Sequence, residues 1–194
     1  KLDLANKPLC FSGFDGLIYK LNDLVLDTES LLSELIKGLE DRVFKLKCSS
    51  QNIKRVEQGY EIILSDMHIN SKVLINCAGN GSKTLLEELK ITEFKTQNRP
   101  LKQIIVDAPN QLNMFAHCIT NLSSTEPRFT ITTHHSAVNK IWYIGGQLAT
   151  LGADLGDETL IANAKKELRQ CIPWLTLNED TFRTLHIDRV EQLT

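Results

Sequence analysis

The 194 residues are 42% hydrophobic and 24% charged, with a formal net charge of −2, so an apolar core is available and disorder is not indicated. Acidic and basic residues are mixed with no basic stripe, which argues against nucleic acid as the main partner. No apolar run approaches the ~20 residues of a membrane span. Lys1-Leu2-Asp3-Leu4 carries no signal-peptide pattern, and the length suits one domain or two small ones.

Residues 1–26 show little regular pattern. Gly13-Phe14-Asp15-Gly16 signals a turn, followed by short apolar alternation through Leu17 and Tyr19. A helix follows: Asp27 or Thr28 caps it, and Leu31, Leu32, Leu35, Ile36 and Leu39 repeat on one face. Alternation predicts a strand over Arg42 to Lys47. Short strands follow at Ile53 to Val56 and at Tyr60 to Leu64, around a turn at Gly59; residues 66–72 read as a turn or edge strand.

Val73-Leu74-Ile75 then reads as a buried strand that turns sharply at Gly79 and Gly81 into a helix over 82–90. Ser82 suits its cap, and Leu85, Leu86 and Leu89 form its stripe. Backbone at such a corner can approach a ligand closely. Two sharper readings fail. A P-loop needs a glycine where Ser82 stands, and the dinucleotide fingerprint needs a third glycine where Thr84 stands.

From Arg99 to Gly145 strands dominate: 101–106, 112–120, 128–134 and 140–145, separated by tight turns that imply antiparallel pairing. Turns are expected at Asn121 to Pro127 and at Ser136 to Asn139. Glycines 145, 146, 152 and 156 make a loop. Asp157 then caps a helix with Leu160, Ile161, Ala164, Leu168 and Cys171 on one face and Pro173 as its stop. A last strand runs over 182–190. The fold class is α+β, an antiparallel sheet with flanking helices. Residues 1–93 and 94–194 read as two segments.

Cys10, Cys48, Cys77, Cys118 and Cys171 are odd in number, widely spaced and without C-x-x-C, which suits free thiols in a reducing, cytoplasmic compartment and no zinc site. His134 and His135 are neighbours on a strand and face opposite sides, so they do not share a metal, and His117 and His186 stand apart. His134 falls with Thr130 and Thr132 on a polar face. Phe129, Ile131 and Thr133 mark the face that packs on helices, with His135 at its end. Arg99, Arg128 and Arg189 are candidates for holding a carboxylate or phosphate bidentately.

Read in order, these blocks resemble the FAD-dependent oxidoreductases of the D-amino-acid oxidase and glycerol-3-phosphate dehydrogenase type. Leu26-Asp27-Thr28 with its helix, Ile53-Lys54-Arg55-Val56 with Gly59-Tyr60-Glu61-Ile62, Val73 to Gly79, Arg99-Pro100-Leu101-Lys102-Gln103, and Ile141 to Gln147 with the helix to Pro173 follow that family's order. The resemblance implies an antiparallel substrate domain plus inserted strands of a split FAD domain. It implies cofactor contacts by Ile53, Ala78, Gly79 and Asn80, and a small amino acid, amine or hydroxy compound as substrate at His134, Thr132, Arg99 and Arg128.

The family's opening βαβ unit with G-x-G-x-x-G, and its closing glycine- and proline-containing segment, have no counterpart here. The chain therefore reads as the middle of a longer enzyme, expected to be colourless, to hold FAD weakly or not at all, and to be inactive alone. The alternative reading is a flavin-free interaction or regulatory module that keeps this fold.

Overall fold

The computed structural model describes residues 7–120, 125–136, 138–177 and 181–193. The chain divides into two compact units, one of residues 1–25 with 100–187, the other of residues 26–99 with 188–194. The sequence suggests one division, between 93 and 94. The units instead interleave, because two long strands, β4 (Lys95–Asp107) and β8 (Phe182–Leu193), each run from one unit into the other.

The larger unit is built on a five-stranded sheet in the order β5-β6-β7-β4-β8, with β5 (Phe115–Cys118), β6 (Phe129–His135) and β7 (Lys140–Gly145). The pairs β5–β6 and β6–β7 are antiparallel, as expected for chain neighbours, and β7–β4 is antiparallel too. Opposed residues share a face, so the register sorts the side chains. Thr133 lies opposite Trp142, and Trp142 opposite Val106. These three, with Phe129, Ile131, Ile144 and Ile104, are buried on one side.

Helix α4 (Asp157–Cys171) covers that side with Leu160, Ala164 and Leu168, all fully buried. Its period-3.6 stripe matches the apolar faces of alternating strands. Lys102 anchors its start by donating to the Leu155 carbonyl and, at 3.1 Å, to Asp157 Oδ1. Asp157 is thus the first helical residue, with Gly156 as the cap. That hydrogen bond, and then one from Thr184, hold the Asp157 carboxyl below its usual range.

Two further ties close this unit. The buried Thr133 hydroxyl donates to the Met114 carbonyl at 2.9 Å and accepts from the Met114 N–H at 2.7 Å, and the Trp142 indole donates to the Leu112 carbonyl at 2.9 Å. Those loop ties shorten the expected 112–120 strand to Phe115–Cys118. From the start of the chain, Phe11 meets Trp174 edge-on at 6.2 Å, and the Trp174 indole donates to the Cys10 carbonyl.

The glycine loop after β7 holds an unexpected short helix, α3 (Gln147–Leu151). Gly146, at φ +73°, turns the backbone so that the Gln147 and Leu148 N–H groups reach the Pro127 and Arg128 carbonyls at 2.9 and 3.1 Å. The expected turns at 121–127 and 136–139 lie partly outside the described residues.

The smaller unit carries a meander, β1 (Ile53–Val56), β2 (Gly59–Ile63) and β3 (His68–Ser71), all antiparallel. Gly59 is required at its corner: φ is +134°, and a Cβ would lie 2.1 Å from the Ser71 carbonyl oxygen. Helix α1 (Thr28–Ile36) is capped by Asp27, whose carboxylate accepts from the Glu29 and Ser30 N–H groups at 3.2 Å each. Helix α2 (Ser82–Glu88) buries Leu85, and Leu89 follows it into the interior.

Two expected strands do not form. Residues 43–47 and 73–75 have no regular structure, and Phe44, Val73 and Ile75 are 78%, 69% and 79% exposed. Alternation alone makes no strand; a ladder needs a neighbour to accept and donate its hydrogen bonds. Among the described residues neither run has one.

Candidate functional site

The face of the large sheet turned away from α4 is mixed, with a row of polar side chains among apolar ones. From the register, Phe115 and Thr132 lie opposite one another, as do His117 and Thr130, Thr132 and Tyr143, Thr130 and Gly145, and His134 and Ile141. Ile105, opposite Tyr143, extends the row onto β4. Thr132 and His134 therefore share a face, and Phe129, Ile131 and Thr133 share the other, as their alternation requires. His135 is exposed at the end of β6.

Thr132 Oγ1 lies 3.2 Å from His134 Nε2, and the His134 ring stacks on Tyr143 with centroids 4.3 Å apart and a 30° tilt. Gln103 donates to the Ile144 carbonyl at 2.6 Å, which holds its amide beside the same row. A Cβ on Gly145 would press on Thr130 Oγ1 at 2.9 Å, so the glycine keeps that end of the face clear. Together these groups offer hydroxyls, an imidazole and a phenol, with Phe115 as an apolar neighbour. Such a surface can hydrogen-bond a small polar molecule and seat an apolar part of it. Tyr143 and Gln103 enter only through the strand register, since the run Ile141 to Ile144 presents an aromatic to each face.

Arg128 is turned the other way, a correction to its placement beside His134. It stands just before β6, and its guanidinium donates to Glu167 Oε1 at 2.7 Å and Gln170 Oε1 at 3.0 Å on α4, with Nε against Glu167 Oε2. The hydrogen bond to Glu167 raises the Arg128 pKa further. A half-buried carboxylate one helix away outcompetes solvent for this side chain.

Arg99 belongs to the smaller unit, within β4 and not at its start, and its carbonyl accepts from Arg189 Nε at 3.3 Å. Ile53, Ala78, Gly79 and Asn80 lie in that unit too. Ile53 opens β1 opposite Ile62. Asn76 Oδ1 accepts from the Ala78 N–H at 3.1 Å and the Ser82 hydroxyl at 3.2 Å, which folds the corner.

Gly79 has φ +53°, with open space where a Cβ would project. The corner can thus lie along a flat ligand. It does not suit a pyrophosphate: α2 has only seven residues, and the Ser82 hydroxyl is committed to Asn76. The residues present fit a flanking contact to FAD and not the grip on its phosphates.

Among the described residues there is no group of three or more His, Cys, Asp or Glu arranged to hold a metal, and no helix long and apolar enough to cross a membrane.

A mixed fold with two antiparallel sheets and few helices matches part of an FAD-dependent oxidoreductase fold. The crystal structure of the FAD-dependent oxidoreductase PA4991 from Pseudomonas aeruginosa superposes with a TM-score of 0.78 at 28% identity, over 98% of this chain and 53% of that one. In sequence, the chain is 30% identical over 184 residues to the Pseudomonas aeruginosa protein described as "Probable FAD-dependent oxidoreductase PA4991", covering 92% of this chain and 46% of that protein. The chain thus spans about half the length of the curated relative it matches. No family model matches it.

Proposed function

We propose that this chain is the substrate-side half of an FAD-dependent oxidoreductase of the D-amino-acid oxidase and glycerol-3-phosphate dehydrogenase type, oxidising a small amino acid, amine or hydroxy compound. The observation that carries the reading is the likeness to an FAD-dependent oxidoreductase over nearly the whole chain. The larger unit supplies the substrate surface, with Thr132 and His134 as polar contacts and Tyr143 beside them. The smaller unit lies along the cofactor through Ile53, Ala78, Gly79 and Asn80, and Arg99 is a candidate contact for a substrate carboxylate or phosphate. Arg128 has no part, since Glu167 holds it.

Bound along Ile53, Ala78, Gly79 and Asn80, FAD would supply the hydride acceptor, and the part of this chain's own residues would be to position the substrate. His134, oriented by Thr132 and stacked on Tyr143, holds a substrate heteroatom by hydrogen bond. Five free cysteines support a reducing, cytoplasmic setting.

The test uses the full-length, flavin-loaded protein and stopped-flow flavin reduction across a panel of amino acids, amines and hydroxy acids. His134→Ala is expected to slow reduction at least about tenfold, the loss of a hydrogen bond made in the transition state, and His135→Ala to leave it unchanged. Equal, negligible effects would remove His134 from the site. A full-length protein that purifies without flavin and takes none up would favour the interaction-module reading.

A further inference from the structure

On the core side of the sheet, opposite the face just described, two thiols meet. Cys118 is the last residue of β5 and Cys171 the last of α4, and their Sγ atoms are 3.6 Å apart across 53 residues of sequence. Both are half-buried, whereas Cys48 and Cys77 are exposed. A disulfide has an S–S length of about 2.05 Å, so closure needs about 1.5 Å of approach. Beyond Cys171 the backbone has already left helical geometry, with Ile172 at φ −136° and ψ 55°.

We propose that Cys118 and Cys171 form an oxidisable dithiol that closes to a disulfide under small hydroperoxides and clamps α4 to the edge strand β5. The site is chemically distinct from the substrate face and independent of the function proposed above. Half-burial selects the oxidant: hydrogen peroxide is small and uncharged and can reach sulfurs that bulkier thiol reagents cannot.

Burial, and then the hydrogen bond to Cys171, push the Cys118 thiol well above its usual range. Either sulfur can open the sequence once ionised. The thiolate attacks one peroxide oxygen, the O–O bond breaks, and hydroxide leaves, taking up the proton the thiol lost, to give water and a sulfenic acid. The second Sγ, 3.6 Å away, then attacks the sulfenic sulfur. The S–S bond forms, the S–O bond breaks, and the second thiol's proton leaves with the oxygen as a second water. The two thiols lose two electrons and the peroxide gains two.

The experiment uses the full-length protein carrying C48S and C77S, so that exposed thiols do not compete. After treatment with hydrogen peroxide, a non-reducing digest is read by mass spectrometry. A peptide pair joining Cys118 and Cys171, lighter by two hydrogens than its parts and released by dithiothreitol, is expected. It should be absent from C118S and from C171S. The oxidised protein should also melt higher by roughly 5 °C or more, as for a loop of this size, and lose that gain on reduction. Recovery of Cys118 and Cys171 unlinked, as free thiols or as separate sulfinic acids, overturns the proposal. That reading is made on protein with both cysteines intact, so it holds even where C118S or C171S fails to fold.

Discussion

Thr133→Val removes one hydroxyl and preserves the shape of the side chain. The hydroxyl makes two hydrogen bonds to Met114, one in each direction, and both residues are buried, Thr133 at 6% and Met114 at 4% exposure. The substitution therefore strands a buried N–H and a buried carbonyl at once, at about 1–2 kcal/mol each. The added methyl returns about 0.8 kcal/mol. The net loss is about 2 kcal/mol, or roughly 4–8 °C in melting temperature for a domain of this size.

Thr133→Ser is the control, since it keeps both hydrogen bonds and gives up one methyl, about 1 kcal/mol. Thermal melts rank the variants globally, and hydrogen exchange at the Met114 amide reads the tie itself, with exchange faster in the valine variant by at least about tenfold. A valine variant as stable as the serine variant, with unchanged protection at Met114, would refute the assignment of this pair as the clamp on the 112–114 loop.

Arg128→Ala leaves Glu167 as a carboxylate without its cation, 18% exposed, and should cost about 2 kcal/mol, less than a fully buried pair because the arginine is partly solvated. Adding Glu167→Leu should recover most of that loss in urea melts. Asp157 is held below its ordinary value of 3.8 by Lys102. Its stabilising share is therefore present above that pH and lost as pH falls through the lower folded value, and the gap in melting temperature between wild type and Asp157→Asn should close on acidification below about pH 4. Gly146→Ala places a methyl 2.7 Å from the Pro127 carbonyl oxygen at φ +73° and should cost at least about 2 kcal/mol. Gly156→Ala, at φ −63° and with nothing within 4 Å of a new Cβ, should stay within about 1 kcal/mol; parallel melts compare them.

What sequence could reveal here depended on where each element finds its partners. β6 and β7 were legible because alternation and tight turns are local signals, and each strand pairs with its chain neighbour. Helix α4 was legible because its stripe, acidic start and following proline all lie within one stretch. The runs at 43–47 and 73–75 carry the same local signal, but pairing is a property of two segments, and one segment cannot announce it. The bounds of β4 went astray for a related reason: it extends back to Lys95, alongside β8, through residues whose polar composition marks no strand.

The candidate face divides in the same manner. Thr132 and His134 follow from counting along one strand, whereas Tyr143 and Gln103 need the register between strands. Arg128 misled because guanidinium chemistry suits a substrate anion and a helix carboxylate equally, and only the fold brings Glu167 to it.

The meeting of Trp174 with Cys10 and Phe11 has a consequence for synthesis. A chain made from its amino end cannot form this contact until residue 174 has been added, and the central strands β6 and β7 are themselves made after residues 26–99. The meander of β1 to β3 pairs neighbours a few residues apart and can close as soon as it is made. The meander is thus free to form while translation continues, although its unit is completed only by residues 188–194, and the larger unit stays open, with Trp142, Ile144 and Ile131 uncovered until α4 arrives. Nascent chains stalled before residue 157 would display that apolar sheet face, and holdase chaperones bind such surfaces.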